Sequence, residues 1–169
     1  MGPTGAGKST QGDLLAEDLG GVHLSSGKLL RQDAHAAAMM VSGAFTPAQE
    51  VQRVIGEAID RVSESKVLIL DGFPRTMSDV QWIERELESH HRRVEKVILL
   101  ELDIEVSLGR LSERDRLDDE PAAIRHKYEL FAEKTQPVVD YYDRAGLLVR
   151  VDGRQGIEAV HEQVKAAVK

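Results

Sequence analysis

The chain has 169 residues, 41% hydrophobic and 30% charged, with a net charge of −7, a composition that fits one globular domain with a sizeable core. The acidic balance argues against broad nucleic-acid binding, which needs a basic surface, while a local arginine cluster can still hold a small anion. The absence of cysteine removes disulfides, thiolate metal sites and cysteine nucleophiles. No apolar run approaches the about 20 residues that span a bilayer, and MGPTGAGKST lacks the apolar centre of a signal peptide, so a cytoplasmic protein without membrane or nucleic-acid partners is expected.

Gly2-Pro3-Thr4-Gly5-Ala6-Gly7-Lys8-Ser9 fills the pattern G-x-x-x-x-G-K-[ST] at every position. Its glycines let backbone N–H groups turn inward around phosphates. The lysine reaches the outer phosphate oxygens, the hydroxyl serves Mg²⁺, and the helix that follows presents its positive end. A chance glycine-rich turn is the competing reading, and an eight-position match opening a helix stands against it. Such a loop should follow a buried strand, and only Met1 precedes Gly2; the strand that feeds the loop is therefore expected to be missing from the sheet.

Lys8–Leu19 reads as the first helix and Val22–Leu24 as a short strand. Pro47–Val62 reads as a helix with Thr46 as its cap and Pro47 in the first helical position. Three further aliphatic runs, Lys66–Leu70, Val94–Leu102 and Leu147–Val151, have the near-continuous apolar character of strands buried on both faces. Helices are expected over Met77–Ser89, over Glu120–Ala145 with Asp118 or Asp119 as cap and Pro121 in the first turn, and over Ile157–Val168. The alternation predicts a three-layer α/β fold with a parallel sheet and right-handed crossovers, a single domain over 1–169.

Two further segments carry chemistry. Asp71-Gly72-Phe73-Pro74-Arg75 ends a predicted strand. An acidic residue there can hold Mg²⁺ or its waters, and Arg75 offers a fork to a phosphate; a simple turn is the alternative. Arg110 to Asp119 then places three arginines (Arg110, Arg114, Arg116) within seven residues, beside paired aspartates. It reads either as a solvated, salt-bridged helix end or as a flap whose arginines converge on transferring phosphates.

Together, GPTGAGKSTQ, LSSGKLLR, DGFPRT and the stretch from RLSERDRLDD to TQPVVDYY resemble the adenylate kinase family of nucleoside monophosphate kinases in its short-lid form. The resemblance covers nearly the whole chain. It implies a phosphotransferase moving the γ-phosphoryl group of ATP to a nucleoside monophosphate, AMP first, in a P-loop fold with a small monophosphate-binding insertion at about 25–55 and a short lid at about 114–120. By position it implies that Gly5, Ala6, Gly7, Lys8, Ser9 and Thr10 bind ATP phosphates, joined by Arg110, Arg114 and Gln155. Ser26, Arg31, Ala44, Phe45, Thr46, Gly72, Phe73, Pro74, Arg75, Asp79, Arg116 and Lys127 would bind the monophosphate. Lys8, Arg75, Arg110, Arg114, Arg116 and Lys127 would act on the transferring group. Ser9 and Asp71 would hold Mg²⁺, partly through water; the short lid leaves no room for zinc; and a monomer is expected.

Three positions depart from the family pattern. Lys28 stands where Asp is usual, and Lys127 where an Arg meets the phosphates; lysine keeps the charge and loses the bidentate fork. Asp79 stands where a Gln reads the adenine edge, and a carboxylate only accepts hydrogen bonds. UMP/CMP or GMP kinases, or a nucleotide-binding protein with weak catalysis, therefore remain alternatives. No histidine shows metal-ligand spacing with another ligand type. His90-His91-Arg92-Arg93 is expected to cap a helix's negative end, and Trp82, Phe131 and Tyr141-Tyr142 are expected to pack in the core.

Overall fold

The computed structural model describes residues 1–41, 46–112 and 121–169. In chain order it runs α1 (Lys8–Leu19), β1 (Val22–Ser25), α2 (Ser26–Gln32), α3 (Ala34–Val41), α4 (Ala48–Ile59), β2 (Leu68–Asp71), α5 (Met77–Ser89), β3 (Val97–Glu101), α6 (Ile104–Ser112), α7 (Pro121–Leu130), a π turn (Phe131–Thr135), α8 (Gln136–Arg144), β4 (Leu148–Asp152) and α9 (Ile157–Ala167). The expected α/β class and parallel pairing are present. Strand bounds shift by up to three residues from the sequence reading, because aliphatic runs continue past the last ladder hydrogen bond.

β1 and β2 pair in parallel, with Val22 opposite Leu68 and Ser25 opposite Asp71. β3 and β4 pair likewise, with Val97 opposite Leu148 and Glu101 opposite Asp152. Parallel neighbours need a crossover; α2 to α4 supply one, and α6 to α8 the other. Among the described residues the two pairs stay separate, β1-β2 and β3-β4. Between β2 and β3 lies a cavity of about 800 Å³ that reaches α1 and α9 on one side and α5 and α8 on the other. Met1 stands at this opening: its amino group donates to the Ile98 carbonyl, and the Leu100 N–H donates to the Met1 carbonyl at 2.9 Å.

Apolar spacing explains which faces are covered. α5 buries Val80, Ile83 and Leu87, three residues on one helical stripe. Ile83 and Leu87 meet Ile55, Ile59 and Phe73, while Val80 meets Val97, Val138 and Tyr142. On the opposite side Leu15, Val160 and Val164 close over Leu100 and Val151. α1 ends where Gly20 takes φ 57°, so that the Gly21 N–H reaches back to Ala16 O at 2.8 Å, a helix stop that glycine adopts without steric cost.

Several local expectations are corrected. α4 begins at Ala48, with Pro47 as its cap residue at ψ 146°; extended backbone there puts Pro47 outside the helix and Thr46 one place too early to cap it. The long helix expected from Glu120 is divided by the π turn, and Asp118 and Asp119 fall outside the described residues. The segment from His90 does close the end of α5 as expected, with the His90 and Arg92 N–H groups donating to Leu87 O at 3.1 and 2.8 Å and that of His91 to Glu88 O at 3.0 Å, while the Arg92 guanidinium donates to the carbonyls of Ser63 (2.6 Å) and Lys66 (2.8 Å) and holds the loop before β2. His90 sits with Asp60 and Glu86, ligand atoms within 4.8 Å of one another, a grouping that linear spacing hides because Asp60 is the residue that caps the end of α4. Tyr142 is core as expected, while Trp82 is half-buried and meets Phe73 edge-to-face at 5.8 Å.

Candidate functional site

The phosphate loop is built on glycine geometry. Gly5 and Gly7 take φ 77° and 86°, and Gly7 is the cap residue of α1, so the loop turns in the left-handed region that side chains rarely adopt. Ser107, fully buried, donates its Oγ–H to Thr4 O at 2.8 Å, and a Cβ on Gly5 would lie 2.6 Å from that Oγ. Ser107 thus clamps the loop from α6, a support role that its sequence neighbourhood does not signal. Lys8 Nζ donates to Pro3 O at 2.7 Å across the loop. Ala6 is buried and Thr10 exposed.

The carboxyl end of β2 meets this loop. Ser9 Oγ donates to Asp71 Oδ2 at 2.6 Å, and Asp71 Oδ1 is buried without a partner. A hydroxyl and a carboxylate oxygen with open acceptor capacity are the hard oxygen donors that Mg²⁺ takes, so the pair predicted from sequence fits the ion. The β1–β2 register carries Ser26 to the same end: a Cβ on Gly72 would lie 2.5 Å from Ser26 Oγ, and Arg75 Nη2 lies 3.5 Å from that point. Ser26 Oγ is likewise buried without a partner. Arg75 Nε donates to Gly72 O at 2.7 Å. Arg75 is exposed at the surface, yet crowding around its guanidinium lowers its pKa while Asp71 and Asp79 work the other way; an arginine keeps its charge under either influence. Phe73 is buried against Trp82, and the Phe73–Pro74 peptide is cis.

Behind the loop a polar chain appears that the sequence reading passed over. His23, its side chain 4% exposed, joins Asp13 Oδ1 at 2.7 Å through Nδ1, and its Nε2 lies 3.8 Å from Asp71 Oδ2. Lys28 Nζ donates to Asp13 Oδ2 at 2.9 Å. The His23 hydrogen bond, then that of Lys28, holds the Asp13 carboxyl below its usual pKa. The Lys28 departure therefore has a structural partner on α1, and it was the one signal in sequence that could have located this chain.

Other predicted residues fall differently. Asp79, buried, accepts from the Arg75 and Thr76 N–H groups at 3.1 and 3.0 Å, while its own N–H donates to Thr76 Oγ1 at 3.2 Å. This is a capping box, in which one carboxylate oxygen, Oδ2, takes both N–H groups. Arg110 donates to Gly153, Arg154 and Gln155 carbonyls at 2.8, 3.0 and 3.3 Å, so its guanidinium holds the loop after β4. Lys127 is half-buried on α7, and Arg31 is exposed on α2. Thr46 lies just ahead of α4, and Ala44, Phe45, Arg114 and Arg116 lie outside the described residues.

With this geometry in view, comparison with known proteins is consistent. A family model described as adenylate kinase matches residues 1–147. The chain is similar to an adenylate kinase of Prochlorococcus marinus (strain MIT 9211), 36% identical over 99% of this chain and 94% of the relative. It is also similar to an adenylate kinase of Synechococcus sp. (strain WH7803), 35% identical over 99% and 96%, and to adenylate kinase 1 of Nostoc sp. (strain PCC 7120), 34% identical over 99% and 96%.

Proposed function

The chain belongs to the adenylate kinase family, and from that premise we propose that its site transfers the γ-phosphoryl group of ATP to AMP, giving two ADP. The observation that carries the assignment of roles is the 2.6 Å bond from Ser9 Oγ to Asp71 Oδ2, which joins a phosphate loop to the strand end of the DGFPRT segment. In this reading Gly5 to Thr10 wrap the ATP phosphates, Lys8 leaves Pro3 O for the β- and γ-oxygens, and Ser9 and Asp71 hold the metal. Mg²⁺, when bound, screens the charge on the phosphates and orients them. Ser26, Gly72 and Arg75 face the monophosphate, with Arg31, Thr46, Ala44 and Phe45 completing its segment of about 25–55.

An oxygen of the AMP α-phosphate attacks the γ-phosphorus, and the bond to the β–γ bridging oxygen breaks, its electron pair leaving with ADP. The attacking oxygen is already anionic, so the chain needs no general base. Arg75, Arg110, Lys127 and the lid arginines Arg114 and Arg116 contribute positive charge; for Arg110 this requires release from the Gly153–Gln155 carbonyls when nucleotide binds. Closure of the lid, about 114–120, excludes water and suppresses hydrolysis. In this reading the enzyme works as a monomer in the cytoplasm; among the described residues no helix is long and apolar enough to cross a membrane.

Coupled measurement of ADP formed from ATP plus AMP, CMP, UMP, GMP or dAMP tests this. The highest kcat/KM is expected with AMP. A preference for another base overturns the acceptor assignment. ATP binding without turnover of any monophosphate favours a nucleotide-binding protein, a second reading kept because Lys28 and Lys127 depart from the family pattern.

A further inference from the structure

Tyr128 is half-buried on α7, next to Lys127. Its phenol donates to two consecutive carbonyls, those of Leu102 and Asp103, each at 3.2 Å. These two residues join β3 to α6, and Asp103 O also takes the Ser107 N–H at 3.1 Å in the first turn of that helix. Ser107, fully buried, reaches from α6 to the phosphate loop through its 2.8 Å bond to Thr4 O. Leu111, one turn further along α6, backs the same loop, since a Cβ on Gly5 would lie 3.3 Å from its Cγ. We propose that Tyr128 is a positioning residue: it ties α7 to the base of α6 and, by way of Ser107, to the phosphate loop, so that Lys127 meets the ATP phosphates at a fixed spacing. This role rests on the phosphoryl transfer proposed above.

The chemistry of the contact favours positioning over packing. α6 leans on α7, and Leu111 and Ile124 are both buried, so apolar area already holds the two helices against their surroundings. Apolar contact tolerates sliding. A hydrogen bond does not, because it weakens steeply away from its short distance and narrow angle. One phenol proton shared between two carbonyls fixes both the tilt of α7 and its position along α6. Burial raises the phenol's pKa, with Ser107 working against the rise and Asp103 and Glu105 adding to it, so the group keeps its proton and stays a donor at neutral pH. Lys127 is one residue away on the same helix, and its reach follows the helix. Such placement matters to a reaction that depends on positioned charge, where a shift of about 1 Å can lower the rate by about 10²-fold.

The test combines Tyr128→Phe, which keeps the ring and removes the O–H, with Lys127→Ala and the double variant. In the coupled assay with ATP plus AMP, Tyr128→Phe is expected to lower kcat about 10-fold while the KM values for ATP and AMP change less than about 2-fold. In the Lys127→Ala background the same substitution should lower kcat by less than about 2-fold, because the phenol acts through the lysine. Hydrogen exchange on the nucleotide-free chain reads the tie without turnover. Tyr128→Phe should speed exchange of the amides of residues 104–110 and 121–130 together, by about 10-fold. An unchanged kcat, a loss of equal size in both backgrounds, or a raised KM with kcat intact would overturn the proposal. If the parent chain forms no ADP, the phosphoryl-transfer assignment fails, and exchange then decides the tie alone: faster exchange in both helices supports it, and unchanged exchange overturns it.

Discussion

Asp71 stands at the junction of everything the site does. Ser9 already donates to one of its oxygens, and the other is buried without a partner, so removing its charge while keeping its shape isolates the metal role. Asp71→Asn is expected to lower kcat for ADP formation by about 10²–10³-fold while leaving metal-free ATP affinity unchanged, which isothermal titration in EDTA would check. Lys127 raises a second question at this scale, since lysine gives a point charge where a guanidinium gives a bidentate fork. Lys127→Arg is expected to raise kcat with AMP, and an unchanged turnover number would remove Lys127 from the reacting centre. Asp79 shows how a residue's role is set by neighbours. Its carboxylate receives the N–H groups of Arg75 and Thr76, so Asp79→Ala should cost about 1 kcal/mol of stability, read by denaturant unfolding, with the order of preference among monophosphates intact.

Helices in this protein are held by their ends and by what they lean on. α5 starts at a capping box that links it to the turn after β2, so the helix and the DGFPRT segment are positioned as one unit. α1 leans on β1 through a tight contact: a Cβ on Gly12 would lie 2.5 Å from His23 Nε2 and 2.8 Å from two ring carbons. The imidazole is pinned by Asp13 on the same helix and has little room to retreat. Gly12→Ala is therefore expected to destabilise the protein by about 1–3 kcal/mol through overpacking, despite alanine's better helix propensity. Thermal unfolding decides between the two effects, since a gain in Tm would mean that the ring moves freely. The same contact carries function, because displacing His23 disturbs the ring 3.8 Å from Asp71 Oδ2.

At the scale of the whole molecule, the buried Met1 amino group gives stability a pH dependence. The Met1 amino group is held neutral in the fold, its pKa near 5 instead of 8.0. The unfolded chain therefore binds the extra proton first as pH falls. The amino group therefore costs the fold nothing above about pH 8, and its burial penalises the fold progressively between pH 8 and pH 5, by up to about 1.4 kcal/mol per pH unit. Tm measured from pH 8.5 to 5 should fall accordingly, and Nα-acetylation should flatten that slope; an unchanged slope would place the amino group in solvent. Much of this architecture was legible beforehand. The apolar runs named the four strands of the described residues, the G-x-x-x-x-G-K-S spacing named the loop, and Asp71 and Arg75 were singled out from their place at the end of a strand. Local patterns of this kind survive because they encode backbone geometry: glycines for positive φ, and continuous apolar runs for burial on both faces. What the sequence could not determine were the partners of its polar side chains. Asp79 as a cap, Arg110 on the Gly153–Gln155 carbonyls, Ser107 on Thr4 and the Lys28–Asp13–His23 chain all depend on which elements the fold brings within about 3 Å of one another. Hydrogen bonds are short and directional, so tertiary structure alone chose them, whereas burial of an apolar stripe is tolerant enough to be read from spacing.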